Sequence, residues 1–118
     1  MPHLVIDCSE SVLTLADPQN LIQAVYDATA STGLFELEGV AGIKVRLNPY
    51  KYYLNVDGRK DFVHVFANIM EGRNEDQKSQ FSIAVVRKLK ELLPSVGIIS
   101  MNIRDFEKAT YCNTLRLE

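Results

Sequence analysis

Residues 62–69 read Phe-Val-His-Val-Phe-Ala-Asn-Ile, and residues 3–6 read His-Leu-Val-Ile. Both runs are rich in β-branched and aromatic residues, the composition that suits a pleated, half-buried strand. Their histidines, His3 and His64, stand 61 positions apart. The same offset carries the first helical pattern of the chain onto the second. The first helix opens at Asp17-Pro18, where the carboxylate accepts from first-turn N–H groups and proline at N1 loses no bond. Leu21, Ile22, Val25 and Ala28 give it an apolar face, and Gly33 is a natural stop. The second opens at Asn74, with Gln77 three residues on as a capping box. It carries Phe81, Val85, Val86, Leu89 and Leu93, and Pro94 and Gly97 end it.

Between these units, residues 41–56 predict one long strand. Ile43, Val45 and Leu47 alternate with Lys44, Arg46 and Asn48. Pro49 implies a bend or an edge position. Tyr50, Tyr52 and Tyr53 continue the extended stretch to the turn at Asp57-Gly58. Residues 98–103 make the last main strand. The order strand, helix, strand, strand, helix, strand is that of an α+β fold in one domain over residues 1–118. Two duplicated βαβ units form a four-stranded mixed sheet with two helices on one face. The other sheet face is left uncovered, which predicts an oligomer.

Of the 118 residues, 47% are hydrophobic and 24% charged, ordinary values for a globular protein. The net charge of −2 comes without a basic run, which argues against a nucleic-acid partner. Apolar stretches are too short to span a bilayer, and the N-terminus lacks the basic region of a signal peptide. Cys8 and Cys112 have no Cys-x-x-Cys spacing and no neighbouring histidine. They read as reduced thiols of a cytoplasmic protein. His3 and His64 have no third ligand at sensible spacing, so no metal is expected and both read as structural or interface residues.

The N-terminus carries the first chemical signal. A strand that begins at residue 3 ties down an end that would otherwise fray. Removal of Met1 would leave Pro2 with a free secondary amine on a rigid ring, a base with a fixed lone-pair direction. Taken alone, Met1-Pro2 reads as a start codon followed by an ordinary residue. Arg73 lies between a strand end and a helix N-terminus, where an anion can be held, or it is a solvated charge beside a turn. Lys44 and Arg46 share one strand face, suited to binding or simply to solvent.

Taken together, Pro2-His3-Leu4, Asp7, Ser9, Thr32-Gly33-Leu34-Phe35, Phe62-Val63-His64-Val65 and Gly72-Arg73 resemble the 5-carboxymethyl-2-hydroxymuconate isomerase family of the tautomerase superfamily. The resemblance runs from the N-terminus to the end of the second helix. It implies a homotrimer of duplicated βαβ chains, with the N-terminal proline as general acid and base. It also implies a proton shift along a conjugated keto-enol system in aromatic-compound breakdown, with no cofactor. The chain departs from the family in about three extra residues within 36–40, in Asp7 where glutamate is usual, and in Lys44 where the family has a substrate-facing arginine.

The resemblance makes Pro2 the catalytic residue. Arg73, Lys44 and Arg46 become candidate contacts for a small anionic substrate. Burial and nearby cations would lower the amine pKa. Lysine keeps the charge at position 44 but not the planar fork that grips a carboxylate. A different unsaturated or α-keto acid substrate is therefore a second expectation. A non-catalytic trimeric interaction protein is a third.

Overall fold

The computed structural model describes residues 1–39 and 42–117. Its main elements are β1 (His3–Ser9), α1 (Pro18–Ser31), β2 (Lys44–Tyr50), β3 (Val63–Met70), α2 (Glu75–Leu92) and β4 (Ile99–Phe106). Short 3₁₀ turns cover Glu10–Thr14, Val56–Gly58 and Thr114–Leu117. The sheet order is β2-β1-β3-β4. The central pair, β1 and β3, is antiparallel, and each outer strand runs parallel to its neighbour. The duplication is thus visible as two βαβ units side by side. The 61-residue offset carries Ser31, the last residue of α1, onto Leu92, the last of α2.

The predicted caps form as expected. The Asp17 carboxylate accepts from Gln19 N–H at 2.8 Å, with Pro18 at the first helical position. Asn74 and Gln77 make the reciprocal capping box. Gly33, just past the end of α1, takes φ +70°, the left-handed conformation that glycine adopts without steric cost.

Leu4, Ile6 and Cys8 alternate inward along β1, and Val63, Val65, Ala67 and Ile69 along β3. They meet Leu21, Val25 and Ala28 of α1 and Phe81, Val85 and Leu89 of α2. Val86 does not share this core. Phe81, Val85 and Leu89 form an i, i+4, i+8 stripe, and Val86 lies one residue round the helix from it, only partly buried. Cys8 sits among the buried residues, where burial, helped by Asp7 and Asp61, pushes its thiol up to about 11.

The long middle strand is shorter than its sequence suggests. Position 41, where the expected strand begins, lies outside the described residues, and the strand ends at Tyr50 rather than residue 56. Its partner explains the end: the ladder closes at Ser9↔Tyr50, where β1 turns into its 3₁₀ segment. Beyond that point, among the described residues, no neighbouring strand pairs with it. Tyr52, Leu54 and Val56 therefore lie exposed. Pro49 sits in an edge strand, where a missing N–H is tolerated. Conversely, β4 runs on to Phe106 because β3 offers partners as far as Met70.

Both helices cover one sheet face. The other carries His3, Val5 and Asp7 of β1 with Lys44, Arg46 and Asn48 of β2, then His64, Phe66 and Asn68 of β3 with Ser100, Asn102 and Arg104 of β4. Among the described residues, no helix is long and apolar enough to cross a membrane.

Candidate active site

Because β1 starts at residue 3, its ladder fixes residue 2 as well. Pro2 is buried, and its carbonyl accepts from the Lys44 N–H at 3.0 Å. The Met1 amine donates to Gly42 O at 3.3 Å, and Lys44 Nζ donates to the same carbonyl at 2.5 Å. Burial, and then the Lys44 charge, lower the amine pKa below its ordinary value of 8.0. Glu36 acts in the opposite sense, and Arg73 adds to the lowering. The structure thus gathers the chain start, Lys44 and Arg73. It also adds Glu36, which sequence reasoning missed.

Arg73 follows Gly72, whose φ of +126° turns the chain off the end of β3. Its guanidinium is not a loose surface charge. Nη1 donates to Met70 O at 3.2 Å and Nη2 to Leu34 O at 2.7 Å. The Phe35 ring lies under it, 4.8 Å from Cζ to centroid. The helix end beside it suits an anion less well than the sequence suggests. Asn74 already occupies the Gln77 N–H, and Glu75 and Asp76 in the first turn offset the helix dipole. Any anion held here is held by Arg73 itself.

Arg46 lies two residues further along β2 and serves a different neighbour. Its Nη1 stands 3.1 Å from His3 Nδ1. A guanidinium only donates, so His3 accepts there as a neutral ring with its proton on Nε2. Burial, Arg46, Lys44 and the N-terminus together hold the His3 pKa below 6.5. Between that lowered value and 6.5 the unfolded chain binds the proton and the folded chain does not, so stability rises with pH through this window. We expect the denaturant midpoint to fall as pH drops through 6.5, and His3→Gln to flatten that dependence in urea melts.

His64, the counterpart of His3 in the second unit, is satisfied differently. Nδ1 lies 2.6 Å from Ser100 Oγ and Nε2 lies 2.6 Å from Asn102 Oδ1. By strand register, Ser100 stands where Lys44 stands in the first unit, and Asn102 where Arg46 stands. Val63, inside the chain, takes the place of Pro2. The second unit therefore keeps the scaffold and lacks the amine and the counterparts of Lys44 and Arg46. Among the described residues, no three His, Cys, Asp or Glu side chains gather into a metal site.

Phe35 and Glu36 are the contributors that patterns alone did not assign. Both follow the Thr32-Gly33 turn, and their link to Arg73 and Met1 spans long stretches of chain. The signal lay in the Thr32–Phe35 run, which has no helical or strand periodicity of its own.

A family model described as 5-carboxymethyl-2-hydroxymuconate isomerase matches residues 2–114. The chain belongs to this family. It is 33% identical over 82 residues to the 5-carboxymethyl-2-hydroxymuconate Δ-isomerase of Escherichia coli, covering 68% of this chain and 63% of that enzyme's length. A crystal structure of a 5-carboxymethyl-2-hydroxymuconate isomerase from Deinococcus radiodurans R1 superimposes with a TM-score of 0.77. The two are 22% identical, over 99% of this chain and 94% of the other. A fused 4-OT, solved as a symmetric trimer, gives a TM-score of 0.74 at 18% identity, over 95% and 91% of the chains. The four-stranded sheet and two helices of the family fold are thus those of this chain.

Proposed function

We propose that this chain is a cofactor-independent isomerase that moves a proton along a 2-hydroxydienoate such as 5-carboxymethyl-2-hydroxymuconate, with the Pro2 amine as general base and then general acid. The observation that carries this reading is the anchoring of Pro2 by the Lys44 N–H at the start of β1, where Lys44 and Arg73 act on the terminal amine. Once Met1 is removed, the prolyl nitrogen becomes an amine one residue deeper in the same surroundings. Pro2 is buried where Met1 is only partly so, and Lys44 and Arg73 act at the chain start. Burial and nearby cations, the causes that lower the Met1 amine, would act on the prolyl amine in the same direction.

The step needs no redox partner. The amine takes the proton of the 2-hydroxyl group, and the electron pair moves along the conjugated chain. The ammonium then returns a proton to a carbon further on, leaving a 2-oxo acid. Arg73 holds a substrate carboxylate and steadies the charge that develops on the former hydroxyl oxygen. Lys44 adds a point charge beside the amine. Arg46 fixes the neutral form of His3 and is the weakest candidate for substrate contact.

The proposed assembly is a homotrimer. Its support is the fused 4-OT trimer of the same fold and the open sheet face, where Phe66 is 38% exposed at the centre. The proposed setting is the cytoplasm, in which Cys8 and Cys112, both unbridged, remain thiols. Lys44 favours one second reading, a different unsaturated or α-keto acid. An ammonium bound back to Gly42 O selects a carboxylate less strictly than a bidentate arginine would.

The test combines intact mass with kinetics. Protein shown by mass to lack Met1 should ketonise 2-hydroxymuconate-type dienols. Its kcat/KM should rise with pH as the amine loses its proton, and Lys44→Met should move that acid limb upward. Met-free protein that ketonises neither these dienols nor phenylpyruvate-type enols would overturn the reading. Activity on the latter alone would select the second substrate class.

A further inference from the structure

We propose that Phe35 is a positioning residue: its ring clamps the Arg73 guanidinium in the orientation that receives the substrate carboxylate. This inference rests on the assignment of Arg73 to substrate binding and gives the Thr32–Phe35 run a purpose beyond ending a helix. Gly33 reverses the chain at the end of α1 with φ +70°. Thr32 Oγ1 accepts from the Leu34 N–H at 3.3 Å and stiffens that turn. The turn delivers two groups to Arg73: the Leu34 carbonyl, at 2.7 Å from Nη2, and the Phe35 ring, at 4.8 Å from Cζ. Met70 O completes the hold at 3.2 Å from Nη1.

The ring is itself held. Phe35 is only 8% exposed, and it meets the fully buried Phe81 edge-on, with centroids 5.2 Å apart and planes at 62°. A free arginine side chain has many rotamers, and that freedom must be lost before it can grip a planar carboxylate. Here one guanidinium face lies on Phe35 and two donors are committed to carbonyls. In the proposed grip, the N–H groups not engaged by Met70 O and Leu34 O receive the substrate carboxylate. A cation over a ring, partly withdrawn from water, is attracted strongly enough to hold that orientation.

A double-mutant cycle tests this. Phe35→Leu and Phe35→Met keep an apolar side chain in the core and remove the ring face. With Arg73 present, each should raise KM about 5- to 30-fold and leave kcat within about twofold. In an Arg73→Ala background they should raise KM no further. Val12→Ala, a fully buried core truncation in the 3₁₀ segment that follows β1, should cost stability without moving KM. An equal KM rise in both backgrounds, or none in either, overturns the proposal. The NMR signal of the Arg73 Nε–H gives a readout independent of turnover. The ring should shift it upfield and slow its exchange, and both effects should vanish in Phe35→Leu. If wild-type protein turns over no dienol, the functional reading fails while this signal still decides the clamp. An unchanged signal in Phe35→Leu sinks the clamp even in an active enzyme.

Discussion

Placing one alanine between Met1 and Pro2 should lower kcat/KM for dienol ketonisation by about 10²- to 10⁴-fold, the usual share of a general base. Methionine removal then leaves an Ala-Pro amide, whose nitrogen has no basic lone pair at any working pH. The change adds no bulk to the core, because the insertion precedes the strand and the Lys44 N–H still meets the Pro2 carbonyl. Pro2→Ala is a milder version of the same experiment. It keeps an amine, but a primary one on a flexible residue, so its loss should sit near the lower end of that range. The ranking separates two explanations. If the amine is the base, the insertion is worse than the substitution. If the proline ring is only packing in a buried position, the substitution is worse, because it deletes buried atoms and the insertion deletes none. Intact mass establishes which N-terminus each protein carries, and circular dichroism checks that both fold.

The fold was legible wherever a local rule and a long-range partner agreed. Asp17-Pro18 and Asn74 with Gln77 are caps that act within one turn, and each forms where the sequence places it. The duplication was visible because its two strands face the same helix-covered core and so keep one pattern of inward residues. The tyrosine segment misled for the converse reason. Tyr50 does lie in β2, but Tyr52 and Tyr53, of the same strand composition, do not: a strand lasts only as long as its neighbour, and β1 ends at Ser9. The absence of a partner cannot be seen in the segment itself. Val86 misled similarly: it satisfies apolar content without lying on the stripe that Phe81, Val85 and Leu89 define.

The candidate site divides along the same line. Pro2 was readable from the strand that starts at residue 3, and Lys44 from the family resemblance; the register His3↔Lys44 that brings them together comes only from the fold. Arg73 was readable as a position but not as an environment. Its carbonyl partners and its ring come from the end of α1, 39 residues away in sequence for the Leu34 contact. The nearness of Glu36 to the chain start and the engagement of Arg46 by His3 are likewise products of packing. The helix N-terminus after Arg73 shows the hazard of a local rule used alone. The capping box that made the helix legible also consumes one of the donors an anion would use.

Phe81→Ala should be the most damaging single truncation of the core, costing about 3–5 kcal/mol. Phe81 is fully buried and has the largest volume of the fully enclosed side chains among the described residues. Replacing it leaves a cavity between α2 and the sheet, beyond the transfer energy of the lost ring atoms. The edge-on contact with Phe35, at 5.2 Å between centroids, adds about 0.5–1.5 kcal/mol that alanine cannot recover. A domain of this size has roughly 5–15 kcal/mol of net stability, so the variant should retain only part of it. Urea unfolding should show a large fall in midpoint with the slope unchanged, since the surface exposed on unfolding hardly changes. Phe81→Leu, which keeps most of the volume, should cost less than half as much. The damage should also reach the chemistry. Without Phe81 the Phe35 ring loses its support and can tilt into the cavity, off the Arg73 guanidinium. Even under conditions where Phe81→Ala is fully folded, its KM should therefore rise toward that of Phe35→Leu. A truncation that lowers the midpoint and leaves KM untouched would mean that the Phe35 ring holds its place without Phe81, so that core packing and substrate grip are separate in this chain.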